Sequence, residues 1–380
     1  IRLWLGVEID GTPEWVPLGT FWSLDWDSPD DTLEATVTAR DRMELLRKGT
    51  YQTSQVQTNV SLYTLAEQVL QDAGLASSEY AIDMALQSIT VPYAWFSPVS
   101  HREALRIIAE AGLAVVYCDR DGLIRVKTGQ VSVAEIPGTW FVQGGPFPAE
   151  TTASDVYGIA PDDYFLPLRL PSKQENVANE IIVTTQPLKP AAVAEEVYRS
   201  NNPITIPANS TKTVTVYYNQ PPVMEAAASL DSPPAGVSII GTTYYGWGAT
   251  VQIQNTNGTD QQATVVISGK PLSVQNKERA TAQDGTSITD NGVLRYEFPD
   301  NALVQTLDRA QAIADALLTS YKDPRRDVEV DWRGNPALEL RDVVSIATDI
   351  DRDKRSTYAV IRQEIEWAGA LSARLVGRRA

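Results

Sequence analysis

Cysteine and histidine are nearly missing from these 380 residues, with one of each. Lone Cys118 excludes a disulfide within the chain and any multi-thiolate metal site. Lone His101 excludes a site built on two or more histidine ligands, while chemistry based on carboxylates or lysine stays open. Basic residues are scarce too: 32 Lys and Arg against 48 Asp and Glu leave a formal net charge of −16. A tight DNA binder replaces condensed counterions with clustered Lys and Arg. The opposite sign here excludes tight nucleic-acid binding, and it suits either simple solubility or a conduit wall that nucleic acid passes without sticking. No apolar run approaches the roughly 18 residues of a membrane span. Phosphate-cradling glycine loops, zinc-ligand spacings and nucleophile elbows are absent as well. The expectation is a protein that is not an enzyme and holds no cofactor and no metal.

What the chain does contain is strand pattern, interrupted by a few helices. Ile1, Leu3, Leu5, Val7 and Ile9 share one face at period two, followed by a turn at Asp10 and Gly11. Stretches 15–21 and 33–39 read as further strands around an acidic loop from Asp25 to Asp31, and 40–46 as a short helix. Leu62, Leu65, Ala66, Val69, Leu70 and Ala73 recur at three and four, with Ser61 as cap and Gly74 as stop. Ser100 and Glu103 have capping-box spacing ahead of Ala104, Leu105, Ile108 and Ala111, with Gly112 closing that helix. A hairpin over 114–126 follows. Residues 127–178, rich in Pro and Gly, read as an extended segment leaning on a neighbour.

From 203 to 272 charge thins out, and Thr, Val, Tyr, Asn and Gly dominate. Strands are expected at 213–218, 237–240, 249–254 and 263–268, the last two joined as a hairpin through Asn255 to Gly258. Residues 300–322 read as the clearest helix, on Leu303, Leu307, Ala310, Ala314, Leu317 and Tyr321, with Asp323 and Pro324 ending it. Strands at 328–332, 343–348, 358–366 and 371–376 return, the last three as a meander closing a barrel-like unit. The fold class is therefore α+β, β-rich and multidomain. Its expected parts are a first barrel-like β domain (1–58), a helix–hairpin domain (59–130), an extended linker (131–178), a second barrel-like domain with the long helix (179–202 and 273–380), and an inserted Ig-like β-sandwich (203–272).

Four features bear on chemistry. Asp349, Asp351 and Asp353 imitate the start of a calcium loop, but Lys354 replaces the glycine and Val360 the closing glutamate, so a charged hairpin tip is expected. Asp25, Asp27, Asp30 and Asp31 could pair as glycosidase carboxylates, yet they read better as a solvated loop. His101 is expected at the surface beside its cap, and Cys118 as a small buried hydrophobe. Tyr244, Tyr245 and Trp247, flanked by Gly246 and Gly248, are the candidate binding surface. Such rings stack on sugar faces or dock a partner subunit, and otherwise pack on the sandwich or the body beside it.

Three segments together resemble the hub proteins at the tail tip or baseplate of long-tailed phages and, more distantly, the spike base of type VI secretion systems. They are 33–42, a strand running into a helical turn; 103–113 with the hairpin ending at 121–126; and 340–346 with the closing hairpin behind it. The stretch 179–183 looks like the return into the second barrel. The resemblance implies a virion protein at the tail tip, usually a homotrimer, whose two barrel-like domains alternate as a pseudo-hexameric collar around the DNA channel. Its implied partners are the tail tube or distal tail protein and the central fibre or spike. The inserted sandwich departs from that pattern and opens an alternative, a receptor- or carbohydrate-binding adhesin recognising a host surface glycan.

Overall fold

A computed structural model describes residues 1–9, 12–30, 35–128, 157–173, 177–322, 325–340, 342–347 and 355–379. The protein is β-rich, 50% strand and 19% helix, and includes a curled half-barrel sheet. The turn at Asp10 and Gly11, the helix stop at Asp323 and Pro324, and the calcium-like stretch from Asp349 to Asp353 lie outside the described residues.

The N-terminal part is two antiparallel hairpins, Arg2–Ile9 with Thr12–Thr20 and Trp22–Asp27 with Thr36–Arg40. The second corrects the expected acidic loop, because Asp25 and Asp27 sit within a strand. Trp22, Leu24 and Trp26 alternate with Ser23, Asp25 and Asp27, and the aromatic positions favour extended backbone more than the aspartates oppose it.

The helix–hairpin unit follows its local signals closely. Ser61 Oγ accepts from Thr64 N–H (3.1 Å) at the start of helix Leu62–Asp72, and Ser100 Oγ from Glu103 N–H (3.1 Å) at the start of His101–Gly112. The expected capping box is only half formed: the Glu103 carboxylate turns outward to Arg106 at 2.6 and 2.8 Å. Gly112 is not the cap either. That place falls to left-handed Leu113, and Gly112 is buried where a Cβ would sit 2.6 Å from Leu86. Its missing side chain lets the helix pack closely. Strands Ala114–Cys118, Ile124–Thr128 and Tyr80–Ile82 form a three-stranded sheet beside it.

One apolar cluster joins this unit to a distant part of the chain. Leu65, Leu105, Ile108 and Val126 pack with Ile181, Val183, Ala310 and Ile313. The latter come from a three-stranded sheet (Arg279–Gln283, Glu180–Thr184, Arg295–Glu297) and from helix Leu307–Tyr321, capped by Thr306. The long helix starts later than expected: Leu303 is buried in the preceding turn, while Leu307 is 44% exposed rather than on the inner stripe.

The half-barrel runs Tyr157–Ile159, Val343–Ala347, Arg355–Trp367, Leu371–Arg379, Arg325–Trp332, Tyr164–Arg169, around buried Trp332, Val344 and Leu375. Residues from the Pro- and Gly-rich stretch supply both of its edges, burying Ile159 and Tyr164.

The sandwich has two sheets. In one, Glu195–Arg199, Ile204–Ile206 and Val223–Asp231 pair with the long strand Gln261–Val274; in the other the order is Ser210–Tyr217, Gly248–Asn255, Val237–Tyr244. Ile206, Val251, Ile253, Val265 and Ile267 fill the space between. Asn255 to Gly258 is therefore not a hairpin turn but a crossing between sheets. Asn255 Nδ2 fastens it by donating to the carbonyls of Ile206, Pro207 and Thr259 at 2.9–3.1 Å.

Candidate functional site

The aromatic group named from sequence lies at the joint between sandwich and body. Strand Val237–Tyr244 ends at a tight reversal, Tyr245 N–H donating to Gly248 C=O (2.8 Å), which turns Trp247 away from the strand. The Trp247 indole is only 7% exposed, and its Nε1–H donates to Gln52 C=O at 2.8 Å. Beside it Gly246 N–H donates to Ser54 C=O (2.8 Å), and a Cβ on Gly246 would press on Trp95 at 3.3 Å. Trp247 thus anchors the two parts to each other. Tyr245 stacks on the indole (5.1 Å, 5°), while Tyr244 packs toward the sandwich core with its hydroxyl accepting from Ala228 N–H at 2.8 Å.

A residue the sequence reading passed over completes this group. Tyr217, 66% exposed, lies 4.9 Å from the Trp247 ring, so the indole sits between two tyrosines. Its signal was present as the last outward position of an alternating Thr strand, Thr211, Thr213, Thr215, Tyr217.

His101 is placed differently from expectation. It is 4% exposed, and its Nε2 lies 2.9 Å from Asp72 Oδ2, with Tyr51 tilted nearby at 6.1 Å. Its helix starts inside the body, against the C-terminal end of Leu62–Asp72, so the first turn is covered. The other ring nitrogen, Nδ1, is buried against Gly49, where a Cβ would come within 2.6 Å, and among the described residues it has no hydrogen-bond partner. The pair ties two helices together. Cys118 is half-buried, and burial raises its thiol above the ordinary value. Asp25, Asp27 and Asp30 are exposed, and Asp31 lies outside the described residues.

A second junction gathers ionisable groups. Arg120, in the hairpin turn, donates to Pro17 C=O (3.2 Å) and Leu338 C=O and pairs with Glu339 (3.0 Å), linking the first hairpin, the helix–hairpin unit and the approach to the half-barrel. A cavity of about 350 Å³ lined by Leu18, Phe21, Asp41, Tyr117 and Leu338 opens alongside. Burial raises Glu339, which Arg120 partly offsets, and burial pushes Asp342 up to about 6 although it accepts from Glu339 N–H at 2.7 Å. Among the described residues no group of three or more His, Cys, Asp or Glu is arranged to hold a metal ion.

Large apolar side chains reach solvent on the two N-terminal hairpins: Ile1, Leu3, Trp4, Trp15, Trp22 and Trp26, the last 67% exposed.

No family model and no curated protein matches the chain. Solved structures do. A tail protein from Neisseria meningitidis MC58 aligns with a TM-score of 0.52 at 8% identity, over 97% of this chain and 83% of that one. The prophage MuSo2 43 kDa tail protein from Shewanella oneidensis gives 0.47 at 12% identity, over 99% and 83%. Prophage tail protein gp18 from Listeria monocytogenes EGD-e gives 0.41 at 10%, over 98% and 78%. The structural neighbours are phage and prophage tail proteins, and the chain has the fold of the Neisseria example.

Proposed function

We propose that the protein is a structural subunit of a phage tail, one copy of a ring, homotrimeric by the hub resemblance, that joins the tail tube to a central fibre or spike around the DNA channel at the tip. The observation that carries this reading is the apolar surface of the N-terminal hairpins. Two-stranded hairpins are marginal on their own, and these present four tryptophans, 42–67% exposed, to solvent. So many large apolar side chains left exposed on two marginal hairpins fit an interface with a neighbouring subunit. The fold held in common with a tail protein supports the setting, and the net charge of −16 suits a channel through which DNA must pass freely.

The test is assembly of the chain in solution. Light scattering should show a closed oligomer at tens of micromolar, and the double variant Trp15→Ser, Trp26→Ser should shift it toward monomer with the helix and strand content unchanged. A wild-type chain that stays monomeric in the presence of its neighbouring tail proteins would sink the proposal.

A further inference from the structure

The two outer faces of the sandwich differ in charge. On the sheet containing Gln261–Val274, Arg199 pairs with Glu196 (2.8 Å) and Asp231 (2.7 Å), and Lys270 with Glu225 (2.5 Å). The opposite sheet has one charged residue in its three strands, Lys212, which alternates away from the outer face and donates to Thr205 C=O at 2.8 Å. On the paired strands Ser210–Tyr217 and Gly248–Asn255 the outward positions before Tyr217 carry hydroxyls and amides, and the third strand adds exposed Ile240 at the far side of the face. Register sets Thr213 beside Gln252 and Thr215 beside Thr250, whose hydroxyls lie 3.3 Å apart, with Gln254 beyond. At the end of this face Tyr217 faces Gly248 and is backed by the Trp247 indole.

We propose that this face binds a neutral carbohydrate chain, one sugar ring stacking on Tyr217 and its hydroxyls meeting Thr215, Thr250 and Gln252. The occupant follows from charge. In a chain of net charge −16, a solvated face would take carboxylates as its neighbour does, and this one has none. It also lacks a cation to hold nucleic acid or an anionic glycan. Hydroxyl and amide groups both donate and accept, as sugar hydroxyls require, and an aromatic ring supplies the apolar platform. Trp247, locked to Gln52, holds the Tyr217 platform in place before any ligand arrives, which lowers the cost of binding.

The inference is independent of the assembly reading, and light scattering on the same samples keeps the two apart. The full chain would be screened on an array of neutral oligosaccharides of glucose, galactose, rhamnose and N-acetylglucosamine, with heparin as the anionic arm. Binding to a neutral member is expected, weakened at least tenfold by Tyr217→Ala and by Gln252→Lys, and unchanged by Arg199→Ala on the opposite face. The exposed Gln252 position keeps the test valid if Tyr217→Ala disturbs the stack. Wild type that retains no neutral glycan, binding that survives both variants, or binding to heparin alone would overturn it.

Discussion

The sandwich and the N-terminal hairpins use the same alternating strand pattern and end in opposite states. In the sandwich, Val251, Ile253, Val265 and Ile267 are fully buried, because a second sheet covers the apolar face of the first. In the hairpins, Trp15 and Trp26 remain 59% and 67% exposed, because among the described residues no second layer lies over them. The difference teaches that alternation determines which side chains share a face, while stability and binding depend on what covers that face. It also separates two placements of tryptophan: Trp247 is spent on an internal joint, and Trp26 stays open to solvent.

The strongest way to break this comparison is to open the sealed region. Ile253→Ala leaves a cavity in the sandwich core and should cost about 2–5 kcal/mol in denaturant unfolding. A loss below about 1 kcal/mol would mean that the sandwich is not the tightly packed half.

The Arg120 junction, where the hairpins meet the body, comes next. Asp342 has a folded pKa of about 6, above the ordinary aspartate value of 3.8, so the folded state holds its proton more tightly than the unfolded one. Its contribution to stability is present at low pH and declines as pH rises from about 4 to 6. Asp342→Asn, which can still accept from Glu339 N–H, should flatten that decline and raise stability at pH 7.5 by roughly 1–2 kcal/mol. Equal pH profiles for the two proteins would show that burial at the junction does not act on this carboxyl.

The smallest effect is expected at the open end. Trp26→Ser in dilute monomer should lie within about 0.5 kcal/mol of wild type, as exposed substitutions do. A larger loss in melting experiments would show that the side chain is already covered within one chain, and would sharpen the boundary between the two regions.

The parts of the fold legible in the sequence were those set within one or two turns of chain. Ser61 and Ser100 capped the helices they were expected to cap, the strand alternation around Thr213 and Ala249 held, and the strand expected at Val343 formed with all five of its residues buried. Strand Val223–Asp231 was missed because Met224, Glu225 and three consecutive alanines have helical preference, which pairing along Gln261–Val274 overrides. Of the candidate site, the aromatic cluster was legible and its orientation was not. Trp247 was named, but its partner Gln52 lies 195 residues away. Tyr217, the ring left open to solvent, carried no glycine flank to draw notice.

The sequence alone therefore determined the local alphabet: period-two faces, capped helices, an acidic charge balance, and too little thiol and imidazole for multi-cysteine or multi-histidine sites. Tertiary structure set how those pieces are used. His101 went inside against Asp72, and Arg120 reached Leu338 across 218 residues to clamp three segments. Of the sandwich's two outer faces, one kept the charges and the other the hydroxyls and amides. The physical reason is that alternation is a property of one extended backbone, whereas burial belongs to pairs of elements whose approach depends on contacts far apart in the chain.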